Sequence, residues 1–291
     1  MVRDRQPLRP LSAAAARGRE PVGALIRRWR DRRRLSQMAL ALDAGISTRH
    51  LSFVETGRAN PSPQLLLALA EQLQLPLRER NAMLLAGGYA PRFAEHAIGS
   101  PALAPVRQAL ALLLKTHDPF PAMAVDRHWN IVLANEASRR LIGLLPAELA
   151  CEPINLFRSS LHPDGFAAHT ENFREWGGYL LDQLDAVVAE AEALSDGGAN
   201  LAALAREIHA YPNVAALRAT RGGPQPDAAE PLVLSCILSL GGQRASLYTT
   251  IASLGAARDL TLSELRLELF YPADNETRAW LHRLAEAAGS G

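Results

Sequence analysis

The chain has almost no lysine: Lys115 stands alone, so its 31 basic side chains are otherwise all arginine. Cysteine is scarce as well. Cys151 and Cys236 lie far apart in the chain, which excludes a disulfide framework or a multi-cysteine zinc site. No apolar run approaches the roughly 18 residues that a membrane helix needs, and the longest candidate, Leu232 to Leu240, contains two serines. The basic N-terminus lacks an apolar stretch followed by a small-residue cleavage site, so no export signal is read there. A cytoplasmic protein without membrane association is expected. At roughly 100–200 residues per domain, 291 residues predict two domains.

What is present is unevenly shared. Residues 1–60 hold 13 arginines against five acids, a balance of +8, whereas the remainder holds 18 bases against 25 acids, a balance of −7. A basic end joined to an acidic body points to a polyanion-binding module attached to something with another task. Guanidinium groups suit phosphate contacts, although arginines on a helix can also be plainly solvated.

Residues 1–20 show no sustained apolar period and read as a flexible basic arm. Helical spacing begins at Val22, with Leu25, Ile26 and Trp29 set among arginines. Ser36 fits the N-cap of a second helix, in which Met38, Ala39 and Leu42 are expected to face inward. Gly45 suits a left-handed stop. Ser47 opens a third helix that ends at Gly57. Ser62 with Pro63 opens a fourth, and Pro76 separates it from a fifth that ends at Gly87-Gly88. The two helices joined at Gly45 form a helix-turn-helix. At about 100° per residue from Thr48, Ser52, Arg49 and Phe53 fall on one side of the third helix. Leu51 and Val54 fall on the other, where Ile46 and Leu42 are expected to join them. Hydroxyls, a guanidinium and an aromatic ring are groups that read base edges and thymine methyls in a major groove. A small helical domain with no DNA role is the alternative that this pattern alone leaves open.

The stretch from Leu35 to Leu75 resembles the lambda-repressor-like (Xre-type) DNA-binding domain. The signature runs from Leu35-Ser36-Gln37 through Ala39, Gly45, Ser47, Ser52 and Glu55-Thr56-Gly57-Arg58 to Pro61-Ser62. The resemblance implies double-stranded DNA as partner and a phosphate contact from Gln37. It further implies that Thr48, Arg49, Ser52 and Phe53, on the helix that Ser47 opens, face base edges. Arg58 and Asn60 would follow the DNA backbone. It also implies a structural pair between Arg30 and Glu55.

Beyond Gly99, Ser100, Pro101 and Pro105, which mark a junction, a helix is predicted over Val106 to Thr116. Residues 121–135 read as two short strands around a turn at Asp126 to Trp129. Asn135 caps a helix that reaches Gly143. A long helix is predicted from about Gly165 to Leu194 and another from Leu201 to Tyr211. Arg221 to Pro231 is a Gly/Pro-rich surface loop. Strands follow at Leu232–Ser239, Ala245–Ser253 and Leu265–Phe270, then a last helix over Asn275–Ala288.

That stretch resembles the MmyB-like ligand-binding domain, a PAS-related fold found behind helix-turn-helix units. The likeness rests on Pro121, Asp126-Arg127, Trp129-Asn130, Asn135, Asn155-Leu156, His162-Pro163, Trp176 and the late strands. It covers about Val106 to Ala285 and implies a bound apolar small molecule such as a fatty acid. The residues themselves show Phe120, Met123, Trp129, Leu156, Phe157, Phe166, Phe173, Trp176 and Tyr179 gathered in one window. Such a cluster lines an apolar pocket or fills a core. Trp129, Phe157, Phe166, Phe173 and Trp176 are the candidate lining residues, with Arg158 and His162 as candidates to meet a carboxylate head group.

Enzyme chemistry finds little support. Ser159, His162 and Asp164 have no nucleophile-elbow motif around them, and His-Pro-Asp-Gly reads as a turn. His128, His162 and His169 lack zinc-ligand spacing, and neither Gly87-Gly88 nor Gly241-Gly242 belongs to a phosphate loop. No metal and no cofactor other than an apolar ligand is expected.

The expected architecture is multidomain. A basic arm (1–20) leads into an all-α, five-helix lambda-repressor-like DNA-binding domain (21–95). A linker and connecting helix (96–118) joins it to an α+β PAS-like domain (119–291). The expected function is a homodimeric DNA-binding transcriptional regulator that senses a small apolar ligand. The alternative is a constitutive DNA binder whose C-terminal domain serves only dimerisation or protein interaction.

Overall fold

The structure, a computed structural model, describes residues 20–194, 198–220 and 233–289. The expected arm, apart from its last residue, and the loop from Arg221 to Pro231 lie outside those residues. The chain divides into two compact units: one runs to Glu95 and takes in Ala257–Leu260, and the other holds His96–Ala256 and the chain from Thr261.

The first unit is helical: α1 (Val22–Arg32), α2 (Gln37–Asp43), α3 (Thr48–Glu55), α4 (Pro63–Gln72) and α5 (Leu77–Ala86). Side-chain caps set three of the starts. The hydroxyls of Ser36, Ser47 and Ser62 accept from the backbone N–H groups of Ala39, His50 and Leu65, each satisfying a donor that the first turn leaves without a helical partner. Gly45 lies at φ +68° between α2 and α3, where a β-carbon would be strained. Leu25 and Ile26 of α1, Leu40 of α2, Leu51 and Val54 of α3, Leu66 and Leu69 of α4 and Leu84 of α5 make the core. Gly23 lets α1 approach α3 closely, since a β-carbon there would lie 2.4 Å from the Val54 carbonyl oxygen.

One expectation for α2 fails. Met38 is 69% exposed and Leu42 77% exposed, while Leu40 and Ala41 are buried. Relative to Leu40, Met38 and Leu42 sit at about 160° and 200° around the helix. The inward arc therefore carries them to the outer side. Ile46 is half-buried.

The second unit opens with a 3-10 turn (Pro101–Leu103) and α6 (Ala104–Thr116), then β1 (Ala122–Val125), β2 (Ile131–Ala134) and α7 (Glu136–Ile142). It continues through α8 (Leu156–Leu161), a 3-10 turn (Phe166–His169), α9 (Phe173–Glu192), α10 (Ala199–His209) and α11 (Pro212–Thr220). The last elements are β3 (Cys236–Leu240), β4 (Gln243–Ser253), α12 (Leu260–Glu264), β5 (Arg266–Pro272) and α13 (Asn275–Gly289). The strands form one antiparallel sheet in the order β2-β1-β5-β4-β3, so β5 is central.

Several helices differ from expectation. The long helix expected from Gly165 is interrupted because the backbone near Thr170 leaves helical geometry to pair with β3. Glu171 N donates to Ile237 O, and Asn172 exchanges side-chain hydrogen bonds with Ser235 O and Ile237 N. Pro212 opens α11, a helix the sequence reading does not expect, as its missing N–H permits at a first helical position. The short helices α8 and α12 were not expected; α8 starts at Asn155, whose side chain accepts from Arg158 N.

Strand alternation gives the sheet two different faces. Ala122, Ala124 and Leu267 are buried with Leu110 and Leu114 of α6, and Leu269 packs against them. Met123, Val125 and Phe270 belong to the opposite face, which packs with Trp129, Phe157 and Leu184. Asn135 ties these layers together. Its Oδ1 accepts from Ala122 N and Ser138 N, and its Nδ2 donates to Leu114 O and Phe120 O.

Candidate nucleic-acid interface and ligand cavity

On α3, Thr48 and Arg49 are exposed, Ser52 and Phe53 are half-buried, and Leu51, Val54 and Glu55 are buried. The guanidinium carbon of Arg49 lies 5.3 Å from the centre of the Phe53 ring. Ser47 is exposed but its oxygen caps the helix through His50 N at 3.1 Å. After α3, the backbone N–H groups of Arg58 and Ala59 both donate to Phe53 O, and the side chains of Arg58 and Asn60 are exposed.

Glu55 organises the buried side of this surface. Its carboxylate accepts from Arg30 Nε at 2.7 Å and Nη2 at 3.2 Å, and from Gln37 Nε2 at 2.7 Å. Arg27 lies 3.5 Å away. Burial pushes the Glu55 carboxyl up, but the hydrogen bonds from Arg30 and Gln37 and the charges of Arg30 and Arg27 hold it below its ordinary value. Gln37 is therefore held against α3 by one amide N–H.

The second unit contains a cavity of about 90 Å³ between the side of the sheet opposite α6 and the helices α7, α8 and α9. Of the candidate lining residues, Trp129, Phe157, Phe166 and Trp176 line it, as do Met123, Leu156 and Tyr179 of the same window. Arg158, His162 and Phe173 do not. Arg158 makes a bidentate pair with Glu207, both contacts at 2.7 Å, and Tyr211 donates to the same carboxylate at 2.6 Å. The His162 ring packs edge-on against Tyr211, and its Nδ1 accepts from Asp164 N within the expected turn. Phe173 lays its ring along Gly177, one turn further on α9.

The sequence reading missed most of the wall that the sheet supplies: Cys236, Leu238, Leu247, Thr249, Ile251, Glu268 and Phe270 also line the cavity. Burial pushes the Cys236 thiol up to about 12. Glu268 is only 3% exposed. Burial pushes its carboxyl up to about 7, against the opposing hydrogen bond from Thr249 and the charge of Arg266. One signal was available in the sequence: an acid between Leu267 and Leu269 in a strand that has apolar residues on both faces.

These features define a helix-turn-helix DNA-binding protein with an appended α+β domain built on one five-stranded antiparallel sheet. A family model for the MmyB-like transcription regulator ligand binding domain matches residues 106–284, more than half of the chain, and one for a helix-turn-helix domain matches residues 21–83. The chain belongs to the MmyB-like transcription regulators. Among solved structures, the PAS domain of Bordetella pertussis BvgS is similar at 15% identity and a TM-score of 0.26, over 65% of this chain and 100% of that one. No curated protein matches the chain. No described helix is long and apolar enough to cross a membrane.

Proposed function

We propose that the protein is a cytoplasmic, homodimeric transcriptional regulator, not an enzyme, which binds its operator through α3 and lets a small, largely apolar ligand in the cavity alter that binding. The observation that carries the DNA reading is the division of α3. One side is locked by Leu51, Val54 and Glu55, and the other presents Thr48, Arg49 and Ser52, the side-chain types that recognise base edges. Gln37, Ser47, Arg58 and Asn60 would supply backbone contacts that set position without reading sequence, and Phe53 would support Arg49. A fatty acid, which the family resemblance implies, suits the aliphatic walls. Its chain would need the cavity to widen, since about 150 Å³ is the scale of an apolar site that holds benzene.

The small volume favours a second reading, in which the C-terminal domain only dimerises or binds a protein and DNA binding is constitutive. Two measurements separate them. Selection from a random duplex library should yield one enriched motif, which Arg49→Ala should degrade. Organic extraction of the purified protein followed by mass spectrometry should release a small molecule near one per chain. Failure of the first removes the operator assignment. An empty extract, together with unchanged operator affinity on adding apolar ligands, leaves the constitutive reading.

A further inference from the structure

Trp129 stands in the turn between β1 and β2 at φ +63°, a left-handed conformation that is an outlier for a bulky residue. The turn holds it there. Its backbone N–H donates to Asp126 O and its carbonyl accepts from Leu156 N, while Asp126 Oδ1 accepts from His128 N and Asn130 N. The indole is 4% exposed and its centre lies 4.6 Å from that of the Phe157 ring. Both rings line the cavity.

The indole Nε1–H is buried and has no acceptor among the described residues. A buried donor left unpaired carries the cost of its lost hydration, and a phenylalanine ring would occupy the place without that cost. The other donors of the lining are largely committed. The hydroxyls of Ser138, Ser159 and Thr170 donate to the carbonyls of Ala122, Leu156 and Phe166. Thr249 donates to Glu268 and Gln183 to Tyr179. No arginine, lysine or histidine lines the cavity. Glu268, its carboxyl already pushed up to about 7, can hold a proton beside a second acid and so admits one.

Building on the ligand-binding reading above, we infer that the Trp129 Nε1–H is the hydrogen-bond donor of the cavity, and that it selects an apolar molecule carrying an oxygen acceptor, a carbonyl or a carboxyl, over a hydrocarbon of the same shape. As the cavity widens to admit the ligand, the oxygen meets the indole nitrogen and removes the cost of the unpaired donor. The aliphatic and aromatic walls take the hydrocarbon part. The held turn keeps the donor from moving off to another acceptor.

The test uses the full-length protein, freed of copurified lipid, with its tryptophans labelled with ¹⁵N in the indole ring. Three probes are added: 2-hexanone, hexanoate and 2-methyl-1-hexene, in which a methylene group replaces the ketone oxygen at nearly constant shape. Residues 29, 129, 176 and 280 each supply one indole N–H resonance. That of Trp129 is the one lost in Trp129→Phe or, should this variant not fold, the one kept when each of the others is replaced singly. At least one of the two oxygen probes should move the Trp129 proton downfield, and the alkene should not. Both moving it, or either alone, supports the inference and tells a neutral oxygen from a carboxylate as the source of the acceptor. By isothermal titration, Trp129→Phe should lower the affinity of the effective oxygen probe relative to the alkene by about fivefold or more. Binding of the oxygen probes with the Trp129 resonance unmoved, an equal shift with the alkene, or an unchanged affinity ratio in a folded Trp129→Phe protein overturns the inference and leaves a ligand-binding cavity in place. Absence of binding by all three probes overturns the inference and the ligand-binding reading together.

Discussion

Arg49 lies over the ring of Phe53, one helical turn further along α3, with 5.3 Å between the guanidinium carbon and the ring centre. The ring restricts the guanidinium, so on the proposed reading less side-chain freedom would be lost when the fork meets a base edge. The expectation from sequence was that both residues face bases. On the proposed operator reading the two would have different tasks: Arg49 would read and Phe53 would aim it.

Replacing Arg49 by alanine is therefore expected to cost about 1–3 kcal/mol on the selected operator and to relax base preference at one position. Phe53→Ala should cost less, about 0.5–1 kcal/mol, the worth of an exposed cation–π contact. Fluorescence anisotropy on operator and scrambled duplexes checks both. Equal losses on the two duplexes would show that Arg49 holds phosphate instead.

Glu55 predicts both a stability loss and a pH effect. Removing one member of a buried, hydrogen-bonded pair costs about 3–5 kcal/mol, so Glu55→Ala should lower the midpoint of urea unfolding of the first unit markedly. Changing Arg30 and Glu55 together to apolar residues should recover much of the loss. The folded carboxyl titrates below its ordinary value, so its stabilisation is complete above the ordinary carboxylate range. It disappears as pH falls through the depressed folded value. Acid unfolding that is the same in wild type and in Glu55→Gln would mean that this carboxylate contributes nothing.

Gly23→Ala sets two effects against each other. Helix propensity favours alanine by about 1 kcal/mol. The added carbon would meet the backbone oxygens of Val54 and Glu55 at 2.4 and 2.6 Å, and a backbone oxygen cannot rotate away as a flexible side chain can. The contact should win. A lower melting temperature and weakened operator binding are expected, because α1 and α3 must separate. A rise in melting temperature would show that the two helices yield easily.

Dimerisation is expected to reside in the second unit. Leu112 and Leu113 of α6 are 63% and 42% exposed, a patch that a second copy of the chain would cover. Leu112→Glu should shift the full-length protein towards monomer in analytical ultracentrifugation and weaken operator binding, because two half-sites about one helical turn apart must be held together. A fragment ending near Gly99 should behave alike. Unchanged mass in both would place the interface elsewhere.

Local signals carried most of the first unit. Ser36, Ser47, Ser62 and Pro63 announce helix starts, and Gly45 a stop, through interactions that span only a few residues. Leu42 was misplaced because α2 is too short for apolar composition to fix its inward side. In the second unit, Asp126 to Trp129 and Asn135 gave the first hairpin and its following helix, again locally. The cavity was only half legible. Its aromatic wall comes from one stretch of sequence, whereas Thr249 and Glu268 reach it through strand pairings more than a hundred residues from Trp129. Arg158 and His162 looked available because Glu207 and Tyr211, which hold them, come from the end of α10 and the bend after it, about fifty residues along the chain.

The alternation along β1 and β5 keeps two selection problems apart. Met123, Glu268 and Phe270 belong to the side that lines the cavity, whereas Ala122, Ala124, Leu267 and Leu269 belong to the side that seats α6. A substitution at one parity leaves the other almost untouched. Descendants of this chain can therefore exchange one chemical cue for another by rewriting every second residue, while the helix that opens the domain keeps its seat and Asn135 keeps its four hydrogen bonds. Change in what lines the cavity and constancy in what seats α6 can be inherited on the same strand.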